Sequence, residues 1–319
     1  MDLEKQFLIA KGAIKRLPGM QKEYSYTGGT IESRYCYAVW LRHLLKWSRF
    51  RKGVPQSVAE LGPGDSLGTG IAALLSGSSK LYALDVIKYW DNARNLRILN
   101  ELVELFKRRF RIPDNFDYPR LRPIIDDYSF PSDILTDEIL EESLSNQRIE
   151  QLRNELSDID NPSNSMIKYK IPWQDQSVIK KGSVDFIYSQ ATLECIEDLE
   201  GTYRAMCLWI KPGGLMSHTI DFKSHKLTAE WNGHWKFSDF EWRLVKGRDK
   251  FLINREPLSK HIELHNANNF WILMKEPATL KNRLGRNSLA SKFRSLSEED
   301  LTTSGVYLLS EKSRSCNDE

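Results

Sequence analysis

Apolar positions recur along the chain at two spacings, and the switches between them mark out the elements. In YAVWLRHLLKW (37–47), Val39, Leu41, Leu44 and Leu45 fall near one face of a helix, with Arg42, His43 and Lys46 mostly elsewhere. The chain up to about residue 55 reads as helical until KGVPQ breaks it. SVAEL (57–61) is then a short apolar run of the kind that forms a buried strand. It leads through a glycine-rich loop into a helix, GTGIAALLSG, stopped at Gly77. KLYALDV (80–86) predicts a second buried strand ending at Asp85, and Leu96, Leu99, Val103 and Phe106 space out the helix after it.

The rhythm fails over 111–165, which is Pro-rich and then acidic and helical (DEILEESLSNQRIEQLRNEL). That is long for a connection within one domain and predicts an inserted cap or an added helical layer. Alternation then resumes. MIKYKIPW and SVDFIYSQ (183–190) predict strands, and DLEGTYRAMCLWI a helix capped by Asp198. KPGG predicts a turn, LMSHTIDF (215–222) a strand, and PLSKHIELHNANN a helix closed by Asn. FWILMKEP and GVYLLSEK are late strands able to pair antiparallel at an edge. Strands alternating with helices predict an α/β fold with a mainly parallel, doubly wound sheet.

Composition narrows the class. In 319 residues, 40% apolar content with nine Trp and thirteen Phe is ample for a core, and no stretch approaches a membrane span. The charged first 20 residues lack the form of a secretory leader. Cys36, Cys195, Cys207 and Cys316 form no CxxC pair, as expected of reduced thiols in a cytoplasm. The net charge of +3 is too small to imply a nucleic-acid partner. Residues 126–160 concentrate eleven Asp/Glu against two Arg, whereas 49–52, 107–111 and 281–294 are basic. These runs suit solvated surface, or a basic face for an anionic substrate or lipid headgroups.

The chemistry gathers at the loop after the first strand. Gly62 and Gly64 let the backbone approach a ligand, and the helix that follows presents its N-terminus to it. Asp85, closing the next strand, is placed to accept hydrogen bonds from both hydroxyls of a ribose. The spacing Gly62, Gly64, Gly68 misses the dinucleotide fingerprint. Glu60 and Asp65 would repel a pyrophosphate but attract the ammonium and sulfonium of S-adenosylmethionine.

VAELGPGDSLG, YALDV, VDFIYSQATLECIEDL and WIKPGG, in that order, resemble the successive motifs of class I S-adenosylmethionine-dependent methyltransferases, over roughly 55–275. The wider sequence is similar to a bacterial, type-11-like group of methyltransferase-domain proteins often found among polysaccharide biosynthesis enzymes. The resemblance implies a Rossmann-like core over 55–275 with the insertion 111–165. A helical extension precedes it (1–54), and an edge strand and tail follow (276–319). It implies that Glu60, Gly62, Gly64 and Asp65 hold the methionine part of the cofactor, Asp85 the ribose, Val86 one side of the adenine, and that Gln190 faces the methionine end. The adenine-side position after the third strand falls near Ile167 and Lys168, which suggests recognition through backbone. Cys195 stands where many relatives have His.

Methyl transfer mainly requires positioning, and a hydroxyl acceptor also requires a base. His218, Asp221 and His225 are the candidates, with His234 nearby; alternation along the strand lets only one of the His218/Ile220 and Thr219/Asp221 sets face the cleft. Competing assignments are plain. His261 and His265 are spaced as a metal pair without a third ligand, so no metal is expected. Cys195 and Cys207 read as structural, and Trp231, Trp235 and Trp242 serve a ligand platform or a satellite core equally well. Thr30 reads as a helix cap, and the stretch 26–35, with Arg34 and Tyr35, as a cover for the cofactor. The expected function is O-methylation of a small molecule or glycan precursor by a cytoplasmic enzyme. An RNA methyltransferase, a dinucleotide-dependent oxidoreductase and a non-catalytic cofactor-binding scaffold are the alternatives.

Overall fold

Seven strands form one sheet in the order β3-β2-β1-β4-β5-β7-β6, with β7 running against the other six. The computed structural model describes residues 2–14, 29–88, 91–173, 175–249 and 251–314. Along the chain these are α1 (Leu3–Ile14), α2 (Ser33–Ser48), β1 (Ser57–Leu61), α3 (Gly68–Leu75), β2 (Lys80–Leu84), α4 (Asn92–Lys107), α5 (Asp137–Ser143), α6 (Asn146–Ser157) and β3 (Ile167–Lys170). Then follow β4 (Val184–Gln190), α7 (Leu199–Trp209), β5 (Ile210–Asp221), α8 (Asp239–Lys246), α9 (Leu258–Ala267), β6 (Phe270–Thr279), α10 (Glu298–Thr302) and β7 (Thr303–Lys312). This is the doubly wound, Rossmann-like architecture that the alternating pattern predicts. The expected antiparallel pairing lies at the β6 edge, with β7 inserted between β5 and β6.

Period-2 alternation sends each strand's side chains to two cores. Val58, Leu81, Ala83, Phe186 and Tyr188 meet α2, α3 and α4, while Ala59, Leu61, Leu84, Ile187 and Met216 meet α7 and α9. KPGG is not a plain turn: it bulges out of β5, where the pairing with β4 jumps from Val184↔Ile210 to Phe186↔Leu215, and Gly213 takes φ +76°. Asp198 caps α7, accepting from the Gly201 amide at 2.8 Å.

α2 departs from the expected amphipathic helix. Arg42, His43 and Lys46 are as buried as the leucines, because the helix is enclosed by the sheet, by α3 and α4, and by residues 113–123. The acidic and basic runs partly neutralise one another: Asp126 faces Arg49, Asp137 faces Arg109, and Asp160 lies 3.2 Å from Lys88. α6 fastens to the far end of α3, where Arg148 donates to the carbonyls of Leu74 and Ser78. α1 packs on α8 so closely that a Cβ on Gly12 would lie 2.1 Å from the Leu244 carbonyl.

Glu155 holds the start of β3, accepting from the amides of Ser165 (3.0 Å), Met166 (3.0 Å) and Ile167 (2.8 Å). Burial opposes ionisation, but these amides outweigh it and lower the carboxyl below its usual 4.5. The folded form therefore binds this proton less readily than the unfolded chain. Its contribution is complete above the unfolded value and is lost as pH falls through the lowered one. Glu155→Gln is expected to reduce stability at pH 7 but to narrow its gap from wild type at pH 3–4 in urea titrations; a gap that widens on acidification contradicts this assignment.

Candidate active site

The sheet order reverses between β1 and β4, and the carboxyl ends of these two strands open the crevice in which doubly wound folds bind ligands. The turn leaving β1 passes through Gly62 (φ +69°) and Gly64 (φ +72°), a conformation that excludes most side chains. Asp85, just past β2, ties that turn to its own strand: Oδ2 accepts from the Gly64 amide at 3.3 Å and Oδ1 from the Val86 amide at 2.7 Å. Burial raises Asp85 to about 6 despite these amides, and the neighbouring Asp65 adds to the rise. Val86 is exposed beside it.

Glu60 points to the α2 side, between Tyr188 and the first turn of α3. Burial raises it to about 8, against the lowering pull of the Tyr188 hydroxyl and the Gly70 amide, with Asp85 adding to the rise. Its Oε2, the Gln190 Oε1 and the Thr219 Oγ1 are buried and have no hydrogen-bond partner among the described residues. Register places the three side by side, Glu60 opposite Tyr188 on β1–β4 and Gln190 opposite Thr219 on β4–β5. Buried polar atoms are normally satisfied, so these acceptors and the hydroxyl at the switch point are a set able to take hydrogen bonds from a donor-bearing ligand.

At the end of β5, Asp221 accepts from the Lys223 amide at 2.8 Å and pairs with Lys223 Nζ at 2.7 Å and with His225 Nε2 at 3.7 Å. Burial works against its charge, but His225 and Lys223 prevail and draw it down to about 2. The Asp221 carboxylate in turn raises His225. A carboxylate thus orients an imidazole at the strand tip, an arrangement suited to taking up a proton.

No family model matches the chain, and no curated protein does. Solved structures are similar to it in outline. An S-adenosylmethionine-dependent methyltransferase from Methanosarcina mazei is 10% identical, with 84% of this chain and 97% of that one covered and a TM-score of 0.44. One from Mesorhizobium loti is 12% identical over 84% and 97%, at 0.39. Phosphoethanolamine N-methyltransferase 2 of Haemonchus contortus is 12% identical over 88% of this chain and 57% of its own, at 0.42.

Several expected placements need correction. The amides leading into α3 are taken within the chain: Ser66 N–H goes to Thr30 Oγ1 (3.2 Å), Leu67 N–H to Asn95 Oδ1 (3.0 Å) and Gly68 N–H, the first of the helix, to Ser66 Oγ (3.0 Å). Thr30 therefore caps across to the glycine loop and not its own helix, whose N-cap is Glu32. Gly62 is needed partly for the chain itself, since a Cβ there would lie 2.6 Å from Thr192 of the β4 turn. His218 stands away from the cleft with Ile220, fully buried and hydrogen-bonded through Nδ1 to Ser189 at 2.8 Å; burial, reinforced by nearby histidines, holds it neutral. His234 is likewise buried, among Trp235 and Trp242.

Ile167 and Lys168 begin β3 at the opposite end of the sheet. The residue beside Asp85 is Lys170, whose carbonyl accepts from the Asp85 amide at 3.1 Å. Trp231 and Trp235 join the main core on the α7 and α9 side, with Trp235 stacked on Phe293, whereas Trp242 sits in a satellite core with Leu8, Phe237, Val245 and Ile253, Arg255 lying over its ring. His261 and His265 pack inside against Tyr203, and no group of His, Cys, Asp or Glu among the described residues is arranged to hold a metal. Burial raises Cys36 to about 12, and it raises Cys195 as well, so neither is a ready nucleophile. Arg34 pairs with Asp117, and Tyr35 meets Tyr118 edge-on. Tyr26–Gly28 and Cys316 lie outside the described residues.

Proposed function

We propose that the protein is an S-adenosylmethionine-dependent methyltransferase acting on a hydroxyl of a small molecule or glycan precursor. The observation that carries the reading is the set of carboxyl groups around one loop, Glu60 on β1, Asp65 in the loop and Asp85 just past β2, where the amides of Ser66, Leu67 and Gly68 are already taken within the chain. A pyrophosphate would meet carboxylate repulsion there, whereas an ammonium and a sulfonium find charge and acceptors. The residues fit the cofactor. Asp85 keeps lone pairs for ribose hydroxyls, exposed Val86 suits an adenine face, and the unpaired Glu60 Oε2 and Gln190 Oε1 suit an ammonium donor. S-adenosylmethionine, when bound, supplies a methyl group activated on sulfur.

The acceptor would enter from the β5 side. There Asp221 and His225 can manage a hydroxyl proton, and Asn254 reaches across to the carbonyls of Leu193 (2.8 Å) and Ile196 (2.9 Å). Cys36, Cys195 and Cys207 form no disulfide among the described residues, in keeping with a cytoplasmic setting, and no helix among them is long and apolar enough to cross a membrane. Saturating S-adenosylhomocysteine is expected to raise the melting temperature by several degrees and NAD to leave it unchanged, since a ligand at 100 times its Kd stabilises by about 2.7 kcal/mol. Equal stabilisation by NAD, or none by S-adenosylhomocysteine, would sink the reading.

A further inference from the structure

Glu194 sits in the short turn Leu193–Cys195 that follows β4, two residues beyond the Thr192 that covers Gly62. It is 2% exposed, and neither carboxyl oxygen lies within normal hydrogen-bond geometry of a partner among the described residues, although the amides of Glu194 itself and of Asp221 favour its charged form. A carboxyl buried for structural reasons would be satisfied, as Glu155 is by three amides. The surroundings of Glu194 are nonetheless firmly built. Asn254 donates its amide to the Glu194 carbonyl at 2.6 Å and fixes the turn on both sides through its side chain.

The segment opposite is strained. His225 and Lys226 take φ +49° and +64°, two successive non-glycine residues in the left-handed region, each costing about 1–2 kcal/mol. That turn is closed by Leu227 N–H on the Ser224 carbonyl at 2.9 Å, and it holds His225 against Asp221. Strain of this kind persists where the surrounding structure imposes it, often at reactive sites. The charged and titratable neighbours of Glu194 are Asp221, His225 and Cys195, with Lys223 neutralising Asp221.

We propose that Glu194 is a catalytic residue on which the acceptor hydroxyl docks and which receives its proton, with the Asp221–His225 pair behind it. The proposal rests on the methyltransferase reading and names the base within it. The hydroxyl O–H bond breaks toward a Glu194 oxygen and its electron pair stays on the acceptor oxygen, which becomes the nucleophile. The neutral carboxyl so formed later returns the proton to water. Burial, then the charge of Asp221, raises Glu194 to about 8, a value suited to a base working near neutrality.

The test compares wild type, Glu194→Gln and Glu194→Asp on catechol, tyrosine, UDP-glucose and a methyl glycoside, with ethanolamine as an amine control. S-adenosylhomocysteine affinity is measured alongside by calorimetry. The expected result is methylation of a hydroxyl compound, a loss in kcat of roughly a hundredfold or more in Glu194→Gln, partial recovery in Glu194→Asp, and loss of the acid limb of the pH profile. The Kd for S-adenosylhomocysteine should stay within about twofold of wild type, which also shows that the variants fold. Activity of Glu194→Gln within about threefold of wild type with the same acid limb would overturn the proposal. So would a wild type that binds S-adenosylhomocysteine yet methylates only ethanolamine or nothing. Failure of the wild type to bind S-adenosylhomocysteine would instead overturn the methyltransferase reading, and this base with it.

Discussion

Asp85→Ala is expected to weaken S-adenosylhomocysteine binding by about 1.5–3 kcal/mol, roughly ten- to a hundredfold in Kd, the magnitude of hydrogen bonds made to a charged group. The two Asp85 oxygens already accept from the Gly64 and Val86 amides, so under the proposed reading the carboxylate would enter the complex in a fixed orientation. The same substitution frees those amides, so a loss of binding must be separated from a loosened loop. Asp85→Asn does this, because its amide oxygen can still accept from the backbone while the charge is gone. Its affinity should fall between those of wild type and Ala, with little change in melting temperature. The group is raised to about 6, chiefly by burial, so the free protein takes up a proton there as pH falls through that value. Affinity should therefore drop between pH 7.5 and 5 in wild type and drop less steeply over the same range in Asp85→Asn, where Glu60 is left to titrate. Calorimetry showing wild-type affinity in Asp85→Ala would remove the ribose assignment.

How much of this site could be read beforehand depends on how local its causes are. Gly62, Gly64 and Asp85 were legible because a turn in the left-handed region demands glycine and because strand, loop, helix and strand follow one another within thirty residues. Asp198 was legible for the same reason, its partner being three residues away. Thr30 does not cap its own helix because it binds Ser66, 36 residues on, and the Leu67 amide ahead of α3 is taken by Asn95 from 28 residues away, neither of which local spacing displays. His218 drew attention as a histidine near a strand end, but three residues of β5 follow it and alternation turns it into the core. Glu194 lies within the motif VDFIYSQATLECIEDL, where spacing assigns it no role. Its significance is the absence of a partner, which only the assembled fold displays; the available signal was a carboxylate inside the otherwise apolar run TLECI directly after a strand.

Arg42 shows the same limit and carries the largest effect expected on stability. Helical spacing placed it off the apolar face of α2, yet it is fully buried, and its guanidinium is what orders the irregular segment beyond α4. Nη2 donates to the Pro113 carbonyl at 2.9 Å, Nη1 to the carbonyls of Leu121 and Pro123 at 3.1 Å each, and the group lies over the Tyr128 ring, 5.2 Å from its centroid. No strand or helix satisfies those three carbonyls, so one planar fork stands in for secondary structure over residues 113–123. Arg42→Ala leaves three buried acceptors without donors, at about 1–3 kcal/mol each, and opens a void as well; partial entry of water brings the expected total to about 3–5 kcal/mol in urea unfolding. Arg42→Lys should recover only part of this, since a single ammonium cannot span carbonyls that the guanidinium reaches with two nitrogens. Because the segment packs on α2 while the glycine loop is held by Thr30 at the other end of that lead-in, Arg42→Lys should retain S-adenosylhomocysteine binding despite its lower stability. A cost below about 1 kcal/mol for Arg42→Ala would mean that the 113–123 segment is held by its apolar contacts and not by the fork.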